Sequence, residues 1–491
     1  MSRLVPDWSL VRAARLPDEA AVRASSAVWS RLRLLEVADG LAASLAGEGI
    51  EPGERVAILL SDDAPAVALV VAARRLGVIL VPLNRRAAAV ELRGQLEAVA
   101  VSVLVHDRTN EALARECASP RLGSHAIGDL LVGRAGAFRA GLRDEVDLDA
   151  PAAIVFTSGT SGRPKGAVLT HGNLAASAHA WASVIRPMAS DRWLACLPLF
   201  HVAGLAMVTR TARWGVELQV AERFDAFEVA RALDDGISHL SLVPVQLEQV
   251  LAARQDLPAP QSLRAILLGG GPIPTELLQR AREAGYPVLT TYGMTETASG
   301  VAVGGADAAT LADPTAGRAL PKVDLRVAAS GAADGSGEIL VRGPMVFAGY
   351  ADTPIVTTDR PRDGWLQTGD VGTIDDDGLL RILDRRDDLL VSGGENVYPA
   401  EVEAVLREHP DIADAAVVAR PDPRWGAVPV AAIVVAPGET VGDADLERHC
   451  RDRLAAYKVP RRFQRTDELP RDALGKLDRQ DVSDRLSEAL R

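Results

Sequence analysis

Short apolar runs alternate with amphipathic helical stretches through the first 300 residues, and this alternation restricts the fold more than any other feature. Four runs have the length and composition of buried strands, namely Arg55–Leu60, Val101–Val105, His239–Val243 and Ala265–Leu268. Helices are predicted at Leu35–Leu45 and Thr275–Ala284, and Ala64–Leu83 is expected to be a buried helix that runs into a strand. Such alternation predicts an α/β architecture with largely parallel sheets.

From about Val323 the pattern changes to short strands and tight turns. Val371–Ile374 and Leu379–Leu383 flank the turn Asp375–Gly378, and its Asp-Gly pair supplies the positive φ angles of a hairpin. A charged run follows at residues 384–388, and beyond it a further unit opens with a helix at Pro399. We therefore predict a domain boundary at 385–388, with domains 1–385 and 386–491.

The composition excludes several classes of function. The chain has 54 Lys and Arg against 66 Asp and Glu, a net charge of −12, which argues against nucleic acid as a main partner because phosphate backbones require a basic face. The three cysteines are scattered and form no CxxC pair, which favours a cytoplasmic location and argues against a zinc or disulfide framework. No secretory signal or membrane span is expected. The sequence leaves a homodimer open.

The segment Thr157–Gly166 predicts a phosphate-binding loop. It follows the apolar run Ala153–Phe156, and its glycines and hydroxyls allow backbone N–H groups to surround phosphate oxygens. Pro164 stands where a Walker loop requires its second glycine, so a nucleotide loop of another kind is indicated. The alternative is a solvated Gly/Ser linker. The candidate phosphate ligands are Thr157, Ser158, Gly159, Thr160, Ser161 and Lys165.

Three further segments predict nucleotide contacts. Asp370, expected to end a Gly-rich turn before a strand, could accept hydrogen bonds from both ribose hydroxyls, or could merely cap the turn. In Tyr292–Thr297, Glu296 is a candidate Mg²⁺ ligand, Thr295 is placed to contact the α-phosphate, and Tyr292 offers a flat face to adenine. The glycine turn Gly269, Gly270 and Gly271 would let a base lie against bare backbone.

Three basic side chains complete the candidate set. Lys476, in a Gly-Lys setting near the end of the chain, could stabilise charge as an anion attacks a phosphate, the alternative being an ordinary surface lysine. His201 stands among apolar residues, where a lone histidine is more often a satisfied core residue than a catalyst, and no proton-transfer role is assigned to it. Lys458 is expected to be a solvated lysine, the alternative being a CoA-contacting or domain-closure surface.

Taken in chain order, these segments resemble the signature motifs of the adenylate-forming superfamily of acyl-CoA synthetases, firefly-type luciferases and nonribosomal adenylation domains. The resemblance spans residues 153–479, and the usual motif near the start is replaced by Ala27–Arg31. It implies a large N-terminal domain of stacked mixed and parallel sheets with helices and a β-barrel-like part, and a small mobile α+β C-terminal domain. The implied co-substrates are ATP and CoA, and the implied metal ion is Mg²⁺.

The resemblance also assigns roles. Lys476, with Thr295 and Glu296, would catalyse adenylation, and Arg385 would join Asp370 on the ribose. The small domain would swing about Asp387, withdraw Lys476 and present the CoA-side glycines for thioester formation. The implied acyl-pocket residues are His201, Gly204, Arg210 and Gly293, and the CoA-side residues are Gly393 and Gly394.

Within the superfamily the chain is most similar to the o-succinylbenzoate–CoA ligases of menaquinone biosynthesis, through Leu199–Leu205, Ser238–Val245 and Leu267–Pro274. Their substrate is a dianion, and Arg210 could pair with its second carboxylate, although a surface arginine is an equal alternative. Ala203 stands where many of these ligases carry a small polar residue.

Three other functions remain open at this point. They are a ligase for medium-chain or aryl acids, a stand-alone enzyme that loads a carrier protein, and a catalytically silent nucleotide-binding protein.

Overall fold

The computed structural model describes residues 3–25, 27–132, 141–157, 165–255, 257–271, 273–305, 315–328, 337–352, 355–357, 363–384, 390–397, 399–470 and 479–489. The chain forms two compact units. The first comprises Met1–Arg85, Leu96–Val155 and Gly166–Leu383, and the second comprises Arg86–Gln95, Phe156–Lys165 and Asp384–Arg491. The proposed domain boundary at 385–388 lies outside the described residues.

The first unit contains two large sheets. The strands of the eight-stranded sheet are, in spatial order, β21 (Ile355–Thr357), β20 (Gly349–Asp352), β10 (Lys165–Thr170), β9 (Pro151–Thr157), β5 (Ile79–Pro82), β4 (Arg55–Leu59), β6 (Val103–His106) and β7 (Gly123–Ala126). Those of the nine-stranded sheet are β17 (Arg318–Ala319), β16 (Ser299–Gly304), β15 (Val288–Met294), β14 (Ala265–Leu268), β13 (His239–Leu242), β11 (Arg192–Ala195), β12 (Glu217–Val220), β2 (Ala20–Arg23) and β3 (Val28–Ser30).

Parallel pairing dominates the interior of both sheets, as the alternation of strands and helices predicts. Strands β4, β5, β6, β7 and β9 pair in parallel, as do β2 and β11 to β15. Antiparallel pairs lie towards the edges, at β10–β20, β15–β16 and β2–β3. The α/β fold class is therefore confirmed.

Smaller sheets complete the strands. The first unit adds an antiparallel pair, β1 (Leu4–Pro6) with β8 (Glu145–Asp147), and a four-stranded sheet of β18 (Asp324–Val327), β19 (Gly337–Arg342), β22 (Leu366–Ile374) and β23 (Leu380–Asp384). The second unit has a sheet of β25 (Glu395–Val397), β24 (Leu390–Ser392), β27 (Gly426–Val435) and β26 (Ile412–Asp422), with β28 (Phe463–Arg465) beside β27. The expected hairpin is present as β22 and β23, with Gly378 at φ +76°.

The described helices of the first unit begin and end as follows: α1 Trp8–Arg15, α2 Arg31–Gly47, α3 Ala64–Leu76, α4 Ala89–Ala98 (whose first turns belong to the second unit), α5 Glu111–Glu116, α6 Ile127–Val132, α7 His171–Ile185, α8 Val202–Trp214, α9 Ala226–Asp234, α10 Pro244–Ala253 and α11 Thr275–Glu283. The second unit adds α12 Pro399–Arg407, α13 Asp443–Arg451 and α14 Arg479–Ala489. Among the described residues, no helix combines the length and apolar character that crossing a membrane requires.

Helix α3 shows how composition fixes position. Asp63 caps its first turn, Pro65 stands at the start where no backbone donor is needed, and Gly77 ends it in the left-handed region. All but one of its residues are buried, Arg74 among them, and its apolar side chains join the main core with α2 and strands β4 and β5. The predicted buried helix followed by a strand is therefore confirmed.

Helix α7 is held at its first turn by a reciprocal cap. The Thr170 hydroxyl accepts from the Asn173 backbone N–H at 3.0 Å, and the Asn173 side chain accepts from the Thr170 N–H at 2.9 Å. The Asn173 amide also donates to the Pro344 and Val346 carbonyls. The start of α7 is thus fixed, and it carries Ser177 and Trp181 to the site described next.

Candidate active site

The predicted phosphate loop is described only at its two ends. Thr157 ends β9 and Lys165 begins β10, and the Thr157 hydroxyl donates to the Lys165 carbonyl at 3.4 Å. The predicted strand before the loop is confirmed. Four of the candidate phosphate ligands lie outside the described residues, namely Ser158, Gly159, Thr160 and Ser161.

Asp370 lies inside a strand, and the expected turn before a strand is wrong. Strand β22 pairs with β19: Gln367 lies opposite Leu340, and Val371 lies opposite Glu338. Residues 368–370 of β22 therefore lie together opposite a single residue of β19. This irregularity re-aims side chains that a regular pleat would direct elsewhere. Asp370 Oδ2 accepts a hydrogen bond of 2.7 Å from the Tyr292 hydroxyl. A turn cap is therefore not its role here.

The contact between Tyr292 and Asp370 joins two of the predicted nucleotide motifs. Tyr292 belongs to β15 of the nine-stranded sheet and Asp370 to the four-stranded sheet. Tyr292 is buried, and its hydroxyl orients the carboxylate that is expected to bind ribose. The structure thus brings the two together, while the adenine and ribose assignments stay predictions.

The glycine turn after β14 lies against β15 at the same sheet edge. A Cβ on Gly269 would lie 2.3 Å from the Thr291 hydroxyl oxygen, so only glycine fits there. Gly270 has φ +80°, and Gly271 continues the turn. Because the carboxyl ends of parallel strands are where open α/β sheets bind ligands, this edge is a suitable position for a nucleotide.

Glu296 is a buried carboxylate held by two contacts. It lies in a 3-10 helix of one turn, Thr295–Thr297, that follows β15. Tyr350 donates its hydroxyl to Glu296 Oε1 at 2.6 Å, and the Phe347 backbone N–H donates to the Glu296 carbonyl at 2.8 Å. One positioned carboxylate fits Mg²⁺, which takes one or two carboxylates and fills its other positions with phosphate oxygens and water. Tyr350 is a residue that the sequence analysis missed.

Gly293 and Gly204 are both positions of close backbone approach. A Cβ on Gly293 would lie 2.2 Å from the Ser299 carbonyl oxygen, and one on Gly204 would lie 2.2 Å from the Pro198 carbonyl oxygen. His201 directly precedes α8, and its ring packs against Phe200 with centroids 4.6 Å apart. His201 and Gly204 therefore lie together at the start of α8.

Arg210 is a buried cation, and the surface-arginine alternative is wrong. Its side chain is 2% exposed on α8, and burial lowers the pKa of its guanidinium to about 9. Its Nη2 donates to the Ser177 hydroxyl at 3.3 Å, and the guanidinium carbon lies 5.2 Å from the Trp181 ring centroid. The Nε donor has no acceptor, and no carboxylate of the described residues pairs with Arg210. Buried charges are normally paired.

A series of contacts connects Arg210 to the predicted nucleotide segment. Trp181 packs against Gly300 of β16, where a Cβ would lie 2.7 Å from the indole Cζ2. Gly300 pairs directly with Gly293 of β15. Arg210 is therefore connected to the Tyr292–Thr297 segment through two intervening residues, Trp181 and Gly300. The sequence analysis missed Ser177 and Trp181, although their spacing of four on one helix places them on one face.

In the second unit the CoA-side glycines form a tight hairpin turn. Gly393 and Gly394 connect β24 and β25 with φ angles of +58° and +85°, as a two-residue hairpin with positive φ at both positions requires. A Cβ on Gly393 would lie 2.7 Å from the Trp425 ring, so the indole packs on bare backbone. Arg385, Asp387 and Lys476 lie outside the described residues.

Lys458 is buried, and the expectation of a solvated lysine is wrong. Within the second unit its ammonium group lies 2.7 Å from Glu401 and 2.5 Å from Glu91. Burial alone would lower the pKa of Lys458, but the two carboxylates outweigh burial and the pKa is raised. Burial, together with the neighbouring Glu91 carboxylate, raises the pKa of Glu401 to about 6, because these effects outweigh that of the Lys458 ammonium group. The contact between Lys458 and Glu91 explains why residues 86–95 belong to the second unit, although they lie far from the rest of it in the sequence.

Comparison with known proteins identifies the family. Residues 10–351 match the family described as AMP-binding enzyme, and residues 401–476 match its C-terminal domain. The chain belongs to the AMP-binding enzyme family. The predicted membership of the adenylate-forming superfamily is therefore confirmed.

The similar proteins include ligases of one acid and a synthetase of another kind. A 2-succinylbenzoate–CoA ligase of Bacillus cereus is 36% identical over 97% of this chain and 98% of its own length. A double mutant of o-succinylbenzoate CoA synthetase from Bacillus subtilis, solved with a product analogue, has a TM-score of 0.92 at 34% identity, covering 98% of this chain and 99% of its own. The same synthetase has been solved with ATP and magnesium ion. The amide bond synthetase McbA from Marinactinospora thermotolerans has a TM-score of 0.84 at 30% identity, covering 97% and 99%.

Proposed function

We propose that the protein is an ATP-dependent acid–CoA ligase that converts o-succinylbenzoate into its CoA thioester through an acyl-AMP intermediate. The observation that carries the choice of substrate is Arg210, a fully buried guanidinium with an unsatisfied donor and no carboxylate partner among the described residues. The similarity to 2-succinylbenzoate–CoA ligases supports the same choice.

The charge of the substrate explains why such an arginine is retained. An isolated buried charge destabilises a fold unless a partner compensates it. An acid with two carboxylates supplies that partner, since one carboxylate reacts with ATP while the other pairs with Arg210. A fatty acid or a simple aryl acid has one carboxylate and would leave the guanidinium uncompensated.

The first half-reaction is assigned to the segment around β15. Asp370, oriented by the Tyr292 hydroxyl, is the proposed ribose ligand. Glu296, oriented by Tyr350, is the proposed Mg²⁺ ligand, and the ion when bound would neutralise charge on the phosphates. Thr295 and the loop from Thr157 to Lys165 are the proposed phosphate contacts. Lys476 is proposed to stabilise the charge that develops as the carboxylate attacks the α-phosphate.

The second half-reaction is proposed from the sequence resemblance. Movement about Asp387 would withdraw Lys476 and bring the Gly393–Gly394 turn into use, so that the CoA thiol attacks the acyl-AMP. We also propose that the protein is located in the cytoplasm and that, if it self-associates, it forms a homodimer.

The test is AMP release in the presence of ATP, Mg²⁺ and CoA, comparing o-succinylbenzoate with benzoate and octanoate. We expect strong preference for o-succinylbenzoate. Turnover of only the two monoanionic acids would refute the substrate assignment and leave the ligase chemistry intact. ATP binding without pyrophosphate release for any acid would instead favour a catalytically silent protein, and acyl-AMP formation without CoA transfer would favour the loading of a carrier protein.

A further inference from the structure

Two buried hydrogen-bond donors without acceptors lie side by side between α7 and α8. The Arg210 guanidinium lies over the Trp181 ring, and neither Arg210 Nε nor Trp181 Nε1 has a hydrogen-bond partner. Both side chains are at most 2% exposed. Since most buried side-chain donors in native proteins are satisfied, two unsatisfied donors in contact point to an acceptor that a ligand supplies.

The surroundings of Trp181 distinguish it from other buried indoles. Trp8 also has an unsatisfied N–H and lies beneath two arginines, but Asp7 neutralises Arg74 at 2.7 Å and Arg213 is only partly buried. The arginine over Trp181 has no such carboxylate among the described residues. The electrostatic demand for an anion is therefore concentrated at Trp181 and Arg210.

Bare backbone borders the indole where β15 and β16 pair. The ring packs on Gly300, where a Cβ would lie 2.7 Å from Trp181 Cζ2 and 3.6 Å from Nε1, so the side chain nearest to this edge of the ring is absent. The partner of Gly300 across the β15–β16 pair is Gly293, which also lacks a side chain. Two glycines thus face each other beside the indole N–H, in the segment that carries Glu296.

Ser177 has a different relation to the arginine. It lies one turn before Trp181 on α7 and is buried. Its hydroxyl accepts from Arg210 Nη2, and this contact directs one edge of the guanidinium towards α7. Because its hydroxyl contacts Arg210 as an acceptor, Ser177 acts by positioning the guanidinium.

We propose that Trp181 donates its indole N–H to the second carboxylate of the acid that Arg210 binds, and that Ser177 positions Arg210 for this contact. The inference rests on the proposed function and adds Trp181 as a specificity-determining residue of the same site. An acid is then recognised by two donors of different geometry, a guanidinium and an indole, which a monoanionic acid cannot satisfy.

The experiment compares o-succinylbenzoate with 3-benzoylpropanoate, which has the same skeleton without the ring carboxylate. Trp181→Phe keeps an aromatic ring beneath Arg210 and removes only the N–H. We expect its KM for o-succinylbenzoate to rise about tenfold, with kcat and the KM for ATP within about twofold, because a contact made equally in ground and transition states changes KM alone. Turnover of 3-benzoylpropanoate should stay within about twofold. Ser177→Ala should raise the KM for o-succinylbenzoate about threefold.

Trp193→Phe is the matched control, because Trp193 is another fully buried indole without an acceptor and stacks on His239 instead of an arginine. It should leave the ratio between the two acids unchanged. An equal loss for both acids in Trp181→Phe would reduce the indole to a packing role and overturn the inference. If the parent enzyme does not discriminate between the acids, the proposed substrate is wrong and the inference falls with it.

A direct readout covers the case in which Trp181→Phe folds poorly. The chain has seven tryptophans, so its indole ¹⁵N–H resonances can be followed individually. Addition of o-succinylbenzoate should shift the Trp181 resonance downfield, while 3-benzoylpropanoate should not. An unshifted Trp181 resonance at saturating o-succinylbenzoate would exclude the proposed hydrogen bond.

Discussion

Replacing Arg210 by methionine should make the protein more stable and a poorer enzyme. The change keeps a long side chain in the space between α7 and α8 and removes the charge. The buried guanidinium has one 3.3 Å contact with Ser177 and the face of Trp181, but no anion among the described residues. In the absence of substrate, it therefore lowers the stability of the folded state.

The pKa gives the size of this effect. Burial lowers the pKa of Arg210 to about 9, and relative to an exposed arginine this disfavours the charged form by about 5 kcal/mol, at about 1.4 kcal/mol per pH unit. The cation–π contact returns about 1–2 kcal/mol. We expect Arg210→Met to raise the free energy of unfolding by about 1–4 kcal/mol, the range seen when buried charges are replaced by apolar residues.

Catalysis should change in the opposite direction. Two charge-assisted hydrogen bonds to a carboxylate are worth about 1.5–3 kcal/mol each, so kcat/KM for o-succinylbenzoate should fall by roughly 10²–10⁴. Turnover of 3-benzoylpropanoate should change little. Urea unfolding at pH 7 and steady-state AMP release measure the two effects on the same preparations.

Arg74 provides the matched control for stability. It is as deeply buried as Arg210 but pairs with the buried Asp7 at 2.7 Å. Arg74→Met leaves that carboxylate unpaired and should cost about 3–5 kcal/mol. If Arg210→Met destabilises the protein as Arg74→Met does, and o-succinylbenzoate is still used, then Arg210 is a structural group and the reasoning is refuted.

Three further predictions concern other parts of the chain. Lys476→Ala should lower acyl-AMP formation roughly 10²–10³-fold, while thioester formation from supplied acyl-AMP largely survives. Pyrophosphate release measures the first step and thioester formation the second. Equal losses in both steps would contradict alternating use of one site. Tyr350→Phe removes the donor to Glu296 and should raise the Mg²⁺ concentration for half-maximal pyrophosphate release about tenfold or more; an unchanged Mg²⁺ dependence would argue against Glu296 as the metal ligand. Burial lowers the pKa of His171 from 6.5 to about 3, so between these pH values only the unfolded chain binds the proton, and the free energy of unfolding falls as the pH falls. In urea unfolding between pH 6.5 and 4.5, His171→Gln should reduce the dependence of this free energy on pH by up to about 1.4 kcal/mol per pH unit. An identical pH dependence in the variant would show that His171 is not held neutral.

Sequence reasoning succeeded where the determining interactions are local. The strand Ala265–Leu268 and the helix that begins at Thr275 are found where they were predicted, because apolar periodicity and local turn residues define them. The joint presence of Glu296, Asp370 and the glycine turn in one unit was also inferred, although only from a family resemblance. The hydrogen bond from Tyr292 to Asp370 was not, since no local pattern encodes it.

Sequence reasoning failed where burial depends on distant partners. Lys458 is buried because Glu91, 367 residues earlier, lies beside it. Arg210 is buried because α8 turns that face towards Ser177 and Trp181 of α7, 33 and 29 residues away. A helix sequence fixes which residues share a face, but the neighbouring helix decides which face is covered.

The irregular pairing at residues 368–370 has a consequence for how the ribose contact could arise and change. Before it, Gln367 pairs with Leu340, and after it Val371 pairs with Glu338, an offset of two residues. Because side chains alternate with a period of two, an offset of two leaves Gly372 and Ile374 on the faces they would occupy without it. If one residue were lost or gained here, the end of β22 would be turned over unless the irregularity rearranged into a bulge of another kind. The position of Asp370 therefore depends on residue count as much as on residue identity.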